Sequence, residues 1–319
     1  MFVSECNHVA PTQSQKCVNV SKFTSRTALY LIPYILITTF QYPVMKDGLN
    51  YSSPLVLMGL RYLIASLLLF AFTRSFKPII NKDTILLSIF TWASGAFWAF
   101  GLEYISTSES AVLNYTMPLM SIPLSAAILS EKASLREWEG AAIGLGGVIV
   151  YSSVSLNQTL FGAILTLFCA FFWGLYTIYY RKLKNQDANR TVASQFLYGA
   201  VLFFLFMPLD YKLEVAPNFW FDITYLSVLS GVVGFLTWNG LARLERVSKV
   251  STLVYSIPAT VTLVQSVETS TLPSPVSLFG IGLMILGICI SQSDRKIEIT
   301  PIKQESPKQL RPMIKAQRD

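Results

Sequence analysis

Ten stretches of this chain are apolar for longer than a loop or an ordinary surface helix would be. They cover about 28–45, 54–73, 84–102, 110–130, 139–154, 160–180, 191–209, 221–241, 250–268 and 275–293. A helix needs about 20 mainly apolar residues to cross a hydrocarbon core roughly 30 Å thick. The shorter runs cross by tilting or by local thinning of the bilayer. A membrane β-barrel would instead show segments of about ten residues with alternating polarity. Charged residues make up 13% of the chain and hydrophobic ones 52%, where a soluble domain carries about 25% charge. The sequence therefore predicts an all-α polytopic membrane protein with ten transmembrane helices, whose solvent is mostly lipid.

Both ends of the chain read differently. Residues 1–27 and 294–319 are polar, the latter rich in Lys, Arg, Gln and Pro. The first lacks the apolar middle of a signal peptide, and neither can bury enough apolar surface to fold alone. The basic tail suits a solvated position near anionic lipid, and nucleic acid is not an expected partner. Cys6, His8 and Cys17 have the spacing of no finger motif, so no metal and no other cofactor is expected. Cys169 and Cys289 fall in apolar runs, where a thiol behaves as a small hydrophobe.

Charge orients the runs. With the N-terminus cytoplasmic, ten crossings place 22 of the 25 Lys and Arg residues in cytoplasmic tails and loops. Two, Lys46 and Lys212, fall outside, and Arg61 lies inside a span. Basic segments are retained on the cytoplasmic side during insertion, so a multi-pass cell-membrane protein with both termini cytoplasmic is predicted.

The chain repeats itself. At a constant offset of 140, Trp98 matches Trp238, Ser108 Ser248, Leu113 Leu253, Tyr115 Tyr255 and Pro118 Pro258. Ser134, Gly140 and Gly147 match Ser274, Gly280 and Gly287 in the same register. Five helices separate the copies, and an odd number of crossings turns the second copy upside down. The loops agree: 103–109 holds Glu103 and Glu109 and no basic residue, whereas 243–249 holds Arg243, Arg246 and Lys249. The domains expected are a first five-helix repeat over 28–154 and a second, inverted one over 160–293. Inverted repeats around a midplane site are the architecture of many secondary transporters.

Residues 101–150, "GLEYISTSESAVLNYTMPLMSIPLSAAILSEKASLREWEGAAIGLGGVIV", resemble the repeat of the EamA-type transporters of the drug/metabolite transporter superfamily. The likeness lies in a small-residue bend, an apolar helix with a central proline, the turn Glu131-Lys132-Ala133-Ser134 and a Gly-rich last helix. "FFWGLYTIYYRK", 171–182, is similar to the start of the family's second repeat. The resemblance covers about 28–293. It implies ten helices, cytoplasmic termini, and a cavity lined by helices one to four and six to nine, with the fifth and tenth peripheral. It also implies efflux or exchange of small metabolites, often amino acids. Two departures stand out. Glu268, in "VETSTLPSP", falls three residues before the counterpart of Glu131, and the first run has Gln41-Tyr42 where the family often has Trp-Gly.

Several residues are candidates for the work of transport. Proline removes a helix hydrogen bond and kinks the chain, and in lipid the freed carbonyl needs a partner. Pro118 and Pro258 are thus expected as mobile bends at the midplane or as static packing kinks. Asn114, Pro118, Ser121 and Ser125 share one helical face, as do Ser251, Tyr255, Pro258, Thr262 and Gln265. Polar groups at such depth face protein or water. Asn114 and Tyr255 read equally as substrate contacts or interhelical bonds, Tyr115 is a candidate substrate contact, and the serines read as structural. Trp98 and Trp238 either anchor at the interface or line one pocket, with Asn239 beside the second. Arg61 stands roughly 10 Å along its helix from Pro54. Its fork suits a substrate carboxylate, and structural pairing is the other reading. Gly140-Ala-Ala-Ile-Gly144 can pack against another helix of the chain or against a second copy, which would make a homodimer.

Three classes of function compete on these residues. A secondary transporter of a small organic metabolite accounts for the repeat, the paired prolines and the polar midplane together. A membrane-embedded enzyme needs a catalytic set, and none is marked. A scaffold or receptor needs no repeated polar midplane. Within transport, exchange of nucleotide sugars or phosphorylated sugars is the alternative, and it calls for more cavity cations than Arg61.

Overall fold

The computed structural model describes residues 25–293 except 132, 154–158 and 184. The predicted tails therefore lie outside the described residues, save that the first helix already begins at Ser25. The metal reading of Cys6, His8 and Cys17 also lies outside them. The order is α1 (Ser25–Tyr51), α2 (Pro54–Thr73), α3 (Lys82–Tyr104), α4 (Thr107–Asn114), α5 (Met117–Leu129) and α6 (Leu135–Ser152). There follow α7 (Leu160–Lys182), α8 (Ala188–Phe206) with a 3-10 turn at Met207–Leu209, and α9 (Pro217–Thr224). A π-helical stretch, Tyr225–Gly234, joins α9 to α10 (Phe235–Leu244). Then come α11 (Val247–Leu253), α12 (Ser256–Thr269) and α13 (Pro275–Gln292). The β-structure among the described residues is one isolated bridge, Ser52 with Leu213.

Eight helical segments among the described residues are long and apolar enough to cross a membrane. The sequence predicts ten spans, and the two runs that fall short have visible reasons. α6 opens with Arg136, Glu137 and Glu139, which shortens its apolar part, and the apolar stretch Pro275–Ser291 of α13 is a shorter helix. The outward faces are apolar. On α1, Leu29, Ile32, Leu36 and Phe40 are exposed, while Leu31, Tyr34, Tyr42 and Met45 on the opposite face are buried. Water penalises such a greasy exterior, and lipid does not.

The two central prolines are not where a kinked continuous helix would hold them. The helix stops at Asn114 and restarts at Met117, so Pro118 is in the first turn of α5. Likewise α11 ends at Leu253, and Pro258 lies in the first turn of α12. There the missing N–H costs nothing, because the first four amides of a helix have no partner within it. The expectation of a kink is corrected to a break.

Local structure recurs at the same spacing as the residues. Left-handed Ser130 (φ 56°) and Ser270 (φ 52°) end α5 and α12. Ser134 and Ser274 accept the first amide bonds of α6 and α13. Those two helices pack closely: a Cβ on Gly140 would come within 2.5 Å of the Gly287 carbonyl, and one on Gly147 within 2.5 Å of the Gly280 carbonyl. The small residues predicted for close packing are thus used within the chain.

Polar contacts gather the connections into two ends. At one, the Lys46 Nζ donates to the carbonyls of Leu102 and Ile105, Ser53 donates to Asp210 and Thr107 to Gln265. At the other, Arg181 pairs with Glu131 and donates to the carbonyls of Ala242 and Glu245. Here too Arg246 pairs with Glu137 at 2.6 Å, and Tyr179 donates to Asp83.

Candidate functional site

Between the two ends lies a cavity of about 60 Å³, several times the space that holds one ordered water. α1 contributes Tyr34, Thr38, Gln41 and Tyr42, which spacings of 4, 3 and 1 set on one helical face. α2 contributes Met58, Arg61 and Tyr62, and α3 contributes Ser94, Gly95 and Trp98. The broken helix offers Asn114, Tyr115 and Met117. From the second half of the chain come Cys169 and Trp173 of α7, with Ser230, Gly234 and Phe235 of the π stretch and α10.

Arg61 is 3% exposed. Its Nη2 donates to the Ser230 hydroxyl at 2.8 Å, and that hydroxyl donates to the Gln41 carbonyl oxygen. Its Nη1 meets the Met58 sulfur at 3.7 Å, a weak acceptor. The Nε finds no acceptor among the described residues. The guanidinium carbon stands 5.5 Å from the centre of the Trp98 ring, which attracts the cation through its face. The ion pairs among the described residues are Arg181–Glu131 and Arg246–Glu137. Arg61 is in neither, so structural pairing with a carboxylate does not account for it.

A second network lies across the cavity. Asn114 donates through Nδ2 to the Tyr42 hydroxyl at 3.1 Å. Its Oδ1 accepts from the Cys169 thiol at 3.4 Å, and Ser94 shares a contact with that sulfur at 3.5 Å. The Tyr42 ring meets Trp98 edge-on at 5.6 Å. Cys169, expected as a small hydrophobe, is part of the polar wall.

Of the predicted site residues, Arg61, Trp98, Asn114 and Tyr115 meet at this cavity. The others lie apart from it. Trp238 sits behind the wall, its ring 5.0 Å from Tyr34 and 5.9 Å from Trp173, with Nε1 donating to Thr177 at 3.1 Å. Asn239 accepts from the Tyr176 hydroxyl at 2.8 Å. Tyr255 is pressed against α6, where a Cβ on Gly144 would come 2.6 Å from its ring. Pro118 and Pro258 are buried just after the helix breaks and do not line the cavity. The implied lining by the seventh and ninth helices is therefore corrected: among the described residues, α8, α11 and α12 contribute nothing to the wall. Of the serines, Ser121 donates to Ser251 at 3.1 Å across the α5–α11 crossing, a structural contact as expected.

Tyr34, Tyr62, Trp173 and Ser230 also line the cavity without having been candidates from sequence. The face made by Tyr34, Thr38, Gln41 and Tyr42 was legible as a polar and aromatic stripe. Ser230 was not, because the π stretch shifts it out of α-helical register.

The EamA-like transporter family model matches this chain twice, over residues 25–153 and 160–292. A protein of Acidianus ambivalens, described as an uncharacterized transporter in the sor 3' region, is 44% identical over 241 residues, which is 75% of this chain and 94% of the relative. A probable amino-acid metabolite efflux pump of Salmonella typhimurium is 26% identical over 243 residues, 69% of this chain and 80% of that one. One solved crystal structure aligns with a TM-score of 0.72 over 85% of this chain and 99% of its own, at 19% identity, which speaks for a shared fold alone.

Proposed function

The chain belongs to the EamA-like transporter family, and from that premise we propose that it moves a small organic metabolite, an amino acid or related solute, by alternating access in export or exchange. The observation that carries this reading is the cavity itself. It lies between the polar contacts of the two ends, has polar and aromatic walls, and draws those walls from both halves of the chain. Such a cavity suits a carrier that opens to one side at a time. Transport rather than catalysis is the reading, since the walls offer binding groups around one buried guanidinium. Exchange of nucleotide sugars asks for several cations against the phosphates, and Arg61 is the one cation among the described lining residues.

The proposed architecture is two five-helix repeats, 28–154 and 160–293, of opposite orientation, which gives ten crossings. The double family match, the helix breaks after Asn114 and Leu253 and the reciprocal Gly140–Gly287 and Gly147–Gly280 contacts support it. The end holding Arg181 and Arg246 is proposed as cytoplasmic, together with both termini, because basic residues concentrate there. The breaks ahead of Pro118 and Pro258 are proposed as hinges, where a halted helix bends without losing further hydrogen bonds.

The test is exchange. Proteoliposomes loaded with a pool of amino acids, carboxylates, amines and sugar nucleotides are diluted, and the released solutes are read by mass spectrometry. Selective release of amino acids or related small solutes is the expected result. Release of sugar nucleotides alone, or none above empty liposomes from folded protein, overturns the proposal.

A further inference from the structure

We propose that Arg61 is the docking point for the carboxylate of the transported solute, that this carboxylate is obligatory, and that an ammonium group on the same solute is dispensable. The inference rests on the transport reading above and narrows its substrate class.

The argument begins with charge. A guanidinium stays ionised, and a buried charge without a partner is costly. Arg61 is 97% removed from solvent on a 3% exposure, and no carboxylate among the described residues pairs with it. A Ser hydroxyl and a thioether sulfur take two of its donors, and neither carries charge. The Nε is buried without an acceptor among the described residues, and Arg61 lines the cavity. A guanidinium presents parallel N–H bonds that match the two oxygens of a carboxylate.

The remaining walls define the other end of the solute. Among the described residues no Asp or Glu lines the cavity, so an ammonium would meet no opposite charge from them. Trp98, Tyr42, Tyr34 and Trp173 instead offer ring faces and edges, suited to an apolar or aromatic body. The Ser230 hydroxyl, itself held by Gln41, accepts from the guanidinium, which fixes its direction before a ligand arrives.

Matched triplets of probes separate the two charged groups of an amino acid. L-phenylalanine carries both, L-phenylalaninamide lacks the carboxylate, and 3-phenylpropionate lacks the ammonium. L-leucine, L-leucinamide and 4-methylpentanoate form an aliphatic set. Binding is read on the purified full-length protein in detergent by quenching of tryptophan fluorescence, with Trp98 beside the guanidinium as the reporter.

In at least one set, the amino acid and its deaminated acid should bind within a few-fold of each other. The amide should bind about tenfold or more weakly, as loss of a charge-assisted bond requires. Arg61→Gln should remove the difference between acid and amide, and Arg61→Lys should retain part of it, since the charge remains but the fork does not. Amides binding as tightly as acids, or neither set of acids binding at millimolar concentration, overturns the proposal. The wild-type comparison needs no variant, so a misfolded Arg61→Gln protein leaves the test intact. Carboxylate binding without flux in proteoliposomes would sink the carrier reading and keep this site. Flux that ignores the carboxylate would do the reverse.

Discussion

Positions 140 residues apart share a backbone but not a task. Trp98 stands in the cavity wall with its ring toward Arg61, whereas Trp238 is fully buried one layer behind and spends its N–H on Thr177. Tyr115 lines the cavity, whereas Tyr255 is packed into α6. Gly144 makes room for the Tyr255 ring. Its counterpart is Met284, fully buried, whose side chain lies beside Gly147 instead. The two halves therefore repeat their breaks, caps and close helix contacts while dividing the labour. The first half supplies most of the cavity wall, and the second supplies the smaller part.

The sharpest break of this comparison is to truncate both tryptophans. Trp238→Ala should destabilise the protein by about 3–5 kcal/mol, as removal of a buried aromatic does. It should be read as lost monodispersity or a lowered midpoint of thermal unfolding in detergent. Trp98→Ala opens onto an existing cavity, so its stability loss should be smaller and its loss of solute exchange larger. Equal losses of stability and of exchange in the two variants would erase the distinction drawn between the halves.

The helix pair α6 and α13 tests the shared backbone instead. Gly147→Val forces a side chain into the Gly280 carbonyl and Met284, and overpacking of this kind costs about 1–3 kcal/mol. Gly146→Val, one residue away, meets nothing within 4 Å and should stay within about 0.5 kcal/mol of the parent. A thermal-unfolding comparison of the two reads the result directly. Similar stability for both variants would mean that the close approach is not what holds these helices.

This division also marks what the sequence could and could not reveal. The apolar runs, the recurrence at 140 and the charge bias set element type, order and approximate ends, because lipid solvation acts on whole segments. Arg61, Trp98, Asn114 and Tyr115, which line the cavity, were legible as candidates because polar or amphipathic groups are rare at such depth. Their repeat partners misled, since identity at equivalent positions says nothing about the neighbouring glycine or methionine that turns a ring inward or away. The place of Ser230 depends on ten residues of π-helix, a tertiary choice with no local signature. The prolines were read as kinks because the runs look continuous. The breaks just before them become visible only when the caps do.

The ends of the molecule extend the comparison. Lys46 and Arg181 hold equivalent carbonyls, those of Leu102 and Ile105 at one end and of Ala242 and Glu245 at the other. Arg181 has a carboxylate as well, Glu131, and that same carboxylate accepts from the Val247 amide at 3.2 Å. A double-mutant cycle on Glu131→Gln and Arg181→Gln should give a coupling of about 0.5–3 kcal/mol in unfolding. Both single variants should also raise the reactivity of cysteines introduced beneath that end. Additive effects would show that the acid and the cation act separately.

The smallest expected effect is the most informative, because it attempts to restore the symmetry. The counterpart of Glu131 is Thr271, which is exposed at the Lys46 end. The nearest native acid, Glu268, is also exposed and three residues short. Thr271→Glu would give Lys46 the partner that Arg181 already has. An exposed ion pair contributes about 1 kcal/mol or less, so unfolding should hardly change. If opening of that end limits exchange, the same energy added to the closed form slows turnover by up to about fivefold. Thr271→Gln, with the same size and no charge, should leave the rate alone. Lys46→Gln should return the Thr271→Glu rate to that of Lys46→Gln alone. A slowing that survives the loss of Lys46 would show that the new carboxylate acts elsewhere, and that the missing acid is not what distinguishes the two ends.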